Sequence, residues 1–162
     1  MPVVKVVKGD ILEANEKYIG QQCNCVTVKS HGLSKSIADK YPWADVYRLR
    51  AQSGNRNCCV ESDRSTPGTI QKIYGHNKVV VCLFGQYCPG KVGVYNNVYG
   101  GDETLQDREN WFKQCIKQID HDEEIDVIAL PYYIGCGLAG GRWEIYSEIL
   151  MNSSKNIVLY KL

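Results

Sequence analysis

The sequence has no apolar run near the length of about 18 residues that a membrane-spanning helix requires. Its first ten residues, MPVVKVVKGD, carry charge and contain no apolar core of the kind found in secretory signal peptides. We therefore expect a protein that does not associate with membranes and is located in the cytoplasm or the nucleus.

An excess of charge of either sign is also missing. The 162 residues include 19 basic and 18 acidic side chains, which gives a net charge of +1, and 44% are apolar. This composition excludes an intrinsically disordered chain. It argues against a generally basic surface for nucleic acid, although a local basic patch remains open. The length predicts one domain, over residues 1–162.

Metal-binding patterns are absent, although cysteine is abundant. The eight cysteines form no C-x-x-C pair, and the three histidines lack H-x(3–5)-H spacing. Without a secretory signal, a disulfide framework is not expected either. Several cysteines lie in apolar runs, as Cys82 does within residues 79–84, which is typical of small buried side chains. We expect neither a metal ion nor a cofactor.

Strand-like and helix-like segments alternate along the chain, which indicates a three-layer α/β domain with a mainly parallel sheet. The turn formers Gly75-His76-Asn77 predict a hairpin. Residues 86–101, rich in glycine and tyrosine, predict a long functional loop. β-branched and apolar runs predict strands over residues 3–7, 18–25, 68–74, 78–84, 126–131 and 156–160. Helical spacing predicts helices over residues 35–40, with Ser34 as N-cap, and over 43–52, 102–119 and 142–152.

A glycine-rich loop precedes the last predicted helix. Residues 135–140, GCGLAG, satisfy G-x-G-x-x-G; glycine lets the backbone approach a ligand, and a helix N-terminus supplies free N–H groups. The pattern predicts an anion site, with a ligand-free tight turn as the alternative. A Rossmann site is not supported, because Tyr160-Lys161-Leu162, about 20 residues further on, offer no carboxylate for a ribose. A Walker loop is not supported either, since no Gly-Lys-[Ser/Thr] follows.

A second loop, residues 29–34 (KSHGLS), also lies between a predicted strand and a predicted helix. Two such loops at strand ends would hold a pyrophosphate from both sides. Asn24 ends the preceding strand, where ligand-facing residues of α/β sheets collect, and its carboxamide can bond sugar hydroxyls. The alternatives are a strand-end cap for Asn24, a solvated loop residue for His31 and only an N-cap for Ser34.

Asp10 directly follows the first predicted strand. A carboxylate at that place can accept a hydrogen bond from an exocyclic amine such as that of adenine. Ordinary turn chemistry is the alternative and is favoured by the sequence alone.

At these residues the chain resembles a macrodomain. The matching stretches occur in the same order and span nearly the whole chain. Each stretch alone is weakly specific, whereas the ordered set is specific. The most similar subgroup is that of the terminal ADP-ribose protein glycohydrolase and small macrodomains that process ADP-ribose 1''-phosphate. The stretches are VKGDI at 7–11, Asn24, the loop at 30–34, KYP at 40–42, LFGQ at 83–86, LP at 130–131, IGCGL at 134–138 and WE at 143–144.

The resemblance implies an α/β/α macrodomain with a mixed six- or seven-stranded sheet and an ADP-ribose cleft over the strand ends. It places Gly9, Asp10 and Ile11 at the adenine and Asn24 beside the distal ribose. It implies that Phe84 or Tyr133 packs against a ring of the ligand. It also implies that two loops hold the diphosphate through backbone N–H groups. Their residues are Ser30, His31, Gly32, Leu33 and Ser34 in the first, and Gly135, Cys136, Gly137 and Leu138 in the second.

Several positions depart from the resemblance. Ala139 follows GCGL where the glycohydrolase has a catalytic aspartate, and Arg142 stands where relatives with GCGLAGG carry aspartate. Ser30 and His31 replace small residues of the first loop. Lys91 in the long loop has no evident carboxylate partner, which disfavours attack on the anomeric carbon by a lysine–carboxylate pair.

We therefore expect binding of ADP-ribose and hydrolysis of an ADP-ribose derivative. The expected reaction is phosphate removal from the 1'' position or cleavage of an ADP-ribosyl ester. Asn24 would orient the sugar, and His31 would be the candidate acid or base. The expected ligand is ADP-ribose or an ADP-ribosylated protein, and the expected state is a monomer.

Two alternatives remain open at this point. The first is a non-catalytic ADP-ribose reader, which Ala139 and Arg142 favour. The second is a module that binds RNA or poly(ADP-ribose), on which Tyr87, Tyr95 and Tyr99 of the long loop would stack bases.

Overall fold

A mixed six-stranded sheet organises residues 2–162, which the computed structural model describes. The strands are arranged in the order β1-β6-β5-β2-β4-β3, and every neighbouring pair is parallel except the antiparallel β3–β4 hairpin. The mixed sheet and the hairpin were both predicted. The strands are β1 (Val4–Lys8), β2 (Tyr18–Gln22), β3 (Ile70–Tyr74), β4 (Val79–Leu83), β5 (Val127–Pro131) and β6 (Asn156–Lys161).

Helices cover both faces of this sheet, as predicted. The α-helices are α1 (Leu33–Lys40), α2 (Asn96–Tyr99), α3 (Leu105–Asp120) and α4 (Trp143–Met151). Helices α3 and α4 pack on one face and α1 packs on the other. Strand β4 shows why both faces are closed, because Val79, Val81 and Leu83 join the α3–α4 side while Val80 and Cys82 join the α1 side.

Three local predictions are wrong, each for a local reason. The predicted helix over 43–52 is instead two 3-10 turns, Pro42–Ala44 and Val46–Leu49, because Asp45 interrupts it and accepts a hydrogen bond from the N–H of Arg48. Strand β2 ends at Gln22 rather than at residue 25, since the chain turns at Asn24. Ser34 was the predicted N-cap, but it lies inside α1, and the N-cap of this helix is Gly32.

Candidate membrane-spanning helices and candidate metal centres are both absent from residues 2–162. None of the helices formed by residues 2–162 is both long and apolar enough to cross a bilayer. In the same range, no group of three or more His, Cys, Asp or Glu side chains is placed to hold a metal ion. The cysteines Cys23, Cys25, Cys58, Cys59, Cys82, Cys88, Cys115 and Cys136 are all free and buried.

Candidate functional site

The sheet topology brings the two predicted anion-binding loops together. The carboxyl ends of β1, β6, β5, β2 and β4 meet at one edge, because these strands are parallel. The loops follow β2 and β5, which are neighbours, and they face each other across a cleft of about 660 Å³. This volume is in the range of about 300–1,000 Å³ typical of ligand pockets. The sequence-predicted residues that line it are Asn24, Ser30, His31, Gly32, Leu33, Ser34, Tyr133, Gly135, Gly137 and Leu138.

The first loop presents an uncapped helix start to the cleft. Gly32 is the N-cap of α1, has a φ of +59° and forms no side-chain capping bond. Within the described chain, the backbone N–H groups of residues 30–34 have no hydrogen-bond acceptor. Unpaired N–H groups and the positive end of the helix dipole therefore lie at the cleft wall.

The glycine loop supplies a second set of backbone donors. It closes on itself through two hydrogen bonds, from the N–H of Gly141 to the carbonyl of Gly135 (3.0 Å) and from that of Gly140 to Gly137 (3.0 Å). The N–H groups of residues 135 and 137–139 have no acceptor among residues 2–162. Gly135 has a φ of +77°, and a Cβ there would lie 2.6 Å from Cε2 of Tyr146, so only glycine suits this position.

Asn24 lies two residues beyond the end of β2, and its carboxamide oxygen is held by three hydrogen bonds. Its Oδ1 accepts hydrogen bonds from the N–H of Val26 (3.0 Å), the N–H of Thr27 (2.9 Å) and the hydroxyl of Thr27 (3.2 Å). The strand-end cap that was the alternative for Asn24 is therefore present. Its Nδ2 donates to no acceptor in the described chain, so the residue also has donors left for the cleft that it lines.

Arg50 and Tyr47 fix the backbone around Asn24. The buried guanidinium of Arg50 donates to the carbonyls of Asn24 (2.7 Å) and Thr27 (2.8 Å). The backbone N–H of Asn24 donates to the phenol oxygen of Tyr47 (3.1 Å), and burial together with the neighbouring Cys23 raises the pKa of that phenol. Neither role was predicted, because the sequence indicated only a helix over residues 43–52.

The third wall of the cleft comes from residues 86–101. Buried Arg108 of α3 donates to the carbonyls of Cys88 (3.2 Å) and Gly90 (2.7 Å) on this wall. The same guanidinium donates to the carbonyl of Ala139 in the glycine loop (3.2 Å) and pairs with Glu103. One side chain therefore ties two cleft walls together, and nothing in the sequence pattern pointed to it.

The charge of the cleft favours an anion. Among the described residues that line it, Lys29 is the charged side chain and no carboxylate is present. The exposed imidazole of His31 also lines it. Arg142 does not contribute, because its guanidinium forms two 2.8 Å hydrogen bonds with the carboxylate of Glu109. The alkyl chain of Lys91 lies beside Gly140.

Other predicted site residues lie outside the set that lines this cleft. Asp10 caps the 3-10 turn Ile11–Glu13 by accepting a hydrogen bond from the N–H of Leu12 (2.9 Å), and Ile11 is buried. This is the turn chemistry given as the alternative for Asp10. The contact of Gly9, Asp10 and Ile11 with adenine stays a prediction.

Two assignments need correction. Phe84 is 2% exposed and packs in the core beside α1, with the guanidinium of Arg50 over its ring, so it is not placed to pack on a ligand. Cys136 does not line the cleft, and its backbone N–H already donates to the carbonyl of Tyr133 (2.9 Å), so this N–H is not free for a phosphate. Tyr133, by contrast, is 47% exposed and lines the cleft.

Known proteins resemble this chain in their fold. No protein-family model and no curated protein sequence matches the chain. Among solved structures, the macrodomain of Mycobacterium tuberculosis DarG has a TM-score of 0.70 and 18% identity, over 99% of this chain and 98% of that one. The Trypanosoma brucei macrodomain in complex with ADP has a TM-score of 0.59 and 10% identity, over 97% and 62%.

A larger viral protein contains a similar unit. The alphavirus P23pro-zbd structure has a TM-score of 0.63 and 15% identity over 99% of this chain, which spans only 22% of the viral protein. Because all these identities are below 20%, the likeness concerns architecture. The chain, with its mixed six-stranded sheet between helices, has the macrodomain fold.

Proposed function

We propose that this protein binds ADP-ribose in the cleft, with the diphosphate held between the loop at 30–34 and the glycine loop. One observation carries the proposal: two sets of unpaired backbone N–H groups, carried by adjacent strands, line a single cleft. Such groups are the usual protein partners of phosphate oxygens, especially at a helix N-terminus. The absence of carboxylates among the described lining residues avoids charge repulsion.

The strand order supports a direction for the ligand. Asp10 follows β1 at one edge of the sheet, the two loops follow β5 and β2 in its middle, and Gln86 follows β4 beyond them. When the adenine lies near Asp10 and the diphosphate lies between the loops, the distal ribose lies at Asn24. The trypanosome macrodomain of the same fold was solved with ADP, which is consistent with a nucleoside diphosphate in this position.

Calorimetric titration with ADP-ribose tests the proposal. A side chain at Gly137 would project into open space, since a Cβ there meets no atom within 4 Å, and Gly137 lines the cleft. We therefore expect Gly137→Leu to fold normally and to lose ADP-ribose binding. Lys113→Leu, on the exposed side of α3, should bind as the wild type does. A wild-type protein that gives no heat at about 1 mM ligand would contradict the proposal.

Hydrolysis of an ADP-ribose derivative is a second candidate function. It is supported by one feature, the presence of Asn24 donors and the His31 imidazole in the same cleft. In this scheme Asn24 orients the distal ribose, and His31 accepts a proton from a water that attacks the phosphorus of the 1''-phosphate or the carbonyl carbon of the ester. The bond from that atom to the ribose oxygen breaks, the oxygen takes up the proton, and ADP-ribose leaves with a free hydroxyl together with inorganic phosphate or the free carboxylate. Ala139 and the lack of a carboxylate in the described lining favour the reader instead.

The amount of phosphate liberated by the protein separates these two functions. Phosphate released from ADP-ribose 1''-phosphate would be compared between the wild type, Asn24→Ala, His31→Ala and the control His76→Ala. His76 is an exposed histidine in the β3–β4 turn. Turnover that His31→Ala abolishes and His76→Ala retains supports the hydrolase. Rates equal to buffer in all proteins, together with calorimetric binding, would establish a reader.

A further inference from the structure

A small hairpin lies beside the cleft and contributes one residue to its lining. Residues 52–59, here called the outer hairpin, are closed by the bridge between Gln52 and Cys59 and by a 2.8 Å bond from the N–H of Ser53 to the carbonyl of Cys58. The N–H of Cys59 donates to the carbonyl of Val26 (2.8 Å). This bond attaches the hairpin to the segment that follows β2.

Asn57 of the outer hairpin reaches the first loop and lines the cleft. Its Oδ1 accepts hydrogen bonds from the N–H groups of Val28 (3.0 Å) and Lys29 (3.1 Å). These bonds commit the oxygen and fix the plane of the carboxamide. The Nδ2 group has no acceptor in the described chain, so its two protons are left for a group in the cleft.

The outer hairpin stands at a defined place along the cleft. Arg56 donates to the carbonyl of Val98 (2.6 Å), which joins the hairpin to the segment after β4. Tyr95 and Tyr99 of that segment line the cleft together with Asn57. The adenine side, marked by Asp10, is at the β1 edge, with the two anion-binding loops between. Asn57 therefore lies beyond the diphosphate, at the end opposite the adenine.

We propose that Asn57, together with Asn24, distinguishes ADP-ribose from ADP, because its Nδ2 donates a hydrogen bond to a hydroxyl of the distal ribose. The inference rests on the proposed function and adds a residue that selects the sugar. A carboxamide donor suits a neutral sugar hydroxyl, which accepts through its lone pairs. ADP has no second ribose and cannot make this contact.

The affinities of ADP-ribose and ADP, measured by calorimetry in four proteins, test the inference. The measured quantity is the ratio of the two dissociation constants. A general loosening of the first loop would weaken the binding of both ligands alike and would therefore leave this ratio unchanged. Asn57→Ala removes the donor and the acceptor, and Asn57→Leu removes both while keeping the size of the side chain and adding no charge. Asn55→Ala is the matched control, since Asn55 is exposed in the same hairpin and forms no side-chain hydrogen bond within the described chain.

We expect the preference of the wild type for ADP-ribose to fall by about fivefold to tenfold in both Asn57 variants, which is the size of one lost hydrogen bond. Asn55→Ala should keep the wild-type ratio to within about twofold. An unchanged ratio in Asn57→Ala and Asn57→Leu, or a wild type that binds both ligands equally, would overturn the role of Asn57 and leave the proposed function intact. A wild type that binds neither ligand would overturn both.

Discussion

Arg108 and Glu103 form an ion pair in which each side chain is 1% exposed. Both charges are satisfied by backbone as well as by each other. The carboxylate accepts from the N–H of Cys88 (2.8 Å), and the guanidinium donates to the carbonyls of Cys88, Gly90 and Ala139. Because these carbonyls belong to two walls of the cleft, the pair links the stability of the fold to the shape of the site.

Arg108→Ala should lower the free energy of unfolding by about 3–5 kcal/mol, because it leaves the charge of Glu103 buried without a partner. Urea denaturation followed by circular dichroism measures the change. Lys113→Ala, an exposed substitution on the same helix, should change the free energy by less than about 0.5 kcal/mol. Equal unfolding midpoints for Arg108→Ala and the wild type would show that water replaces the guanidinium at no cost.

Two glycines of the same loop should differ in their response to substitution by alanine. Gly135 has a positive φ and its Cβ would overlap Tyr146 and Gln22, whereas Gly137 has open space around it. We expect Gly135→Ala to lose at least about 1–2 kcal/mol of stability, from the left-handed backbone alone. Gly137→Ala should melt within a few degrees of the wild type. Comparable melting temperatures for the two variants would mean that the loop relaxes around the added methyl group.

Much of this architecture follows from short apolar runs and glycines. The run at 79–84 predicts a strand buried on both faces, and β4 has this character. The glycine loop and the loop at 30–34 were predicted from small residues at strand ends, and they share one cleft. Such features depend on residues that are neighbours along the chain, so they can be recognised in the sequence itself.

The residues that support the site could not be found in this way. Arg108 lies between Asp107 and Glu109, and Arg50 lies between Leu49 and Ala51. Neither pattern indicates a buried guanidinium, yet both side chains are buried. Their partners are backbone carbonyls of segments distant along the chain, and a carbonyl has no sequence signature. Asn57 was missed for the same reason, because its acceptor role depends on how the outer hairpin folds back on the first loop.

The thiols of the folded protein should be almost unreactive. All eight cysteines are buried, and burial is the main cause that raises the pKa of Cys88, Cys115 and Cys136 to about 12. At about pH 8 a pKa of that size lowers the thiolate fraction roughly a thousandfold. We expect Ellman's reagent to label none rapidly in the native protein and eight per chain in denaturant. Rapid native labelling of Cys136 would show instead that the glycine loop opens in solution.

The ion pair between Lys72 of β3 and Asp122, after α3, should make stability depend on acid pH. Their charged atoms are 2.6 Å apart, and the side chains are 21% and 14% exposed. Burial acts to raise the pKa of Asp122, but the hydrogen bonds from Lys72 and from the N–H of Glu124 outweigh it and lower this pKa below its ordinary value. The folded state therefore binds the proton of Asp122 less tightly than the unfolded state does.

A lowered carboxyl pKa contributes stability that is complete above the unfolded pKa of about 4 and is lost as the pH falls through the folded pKa. We therefore expect the free energy of unfolding to fall more steeply below about pH 4 in the wild type than in Asp122→Asn, as measured by urea titrations at a series of pH values. Asp39→Asn, which breaks the exposed pair with Lys35, should keep the wild-type slope, since exposed pairs contribute little. Parallel curves for Asp122→Asn and the wild type would show that the Lys72 pair contributes nothing to acid sensitivity.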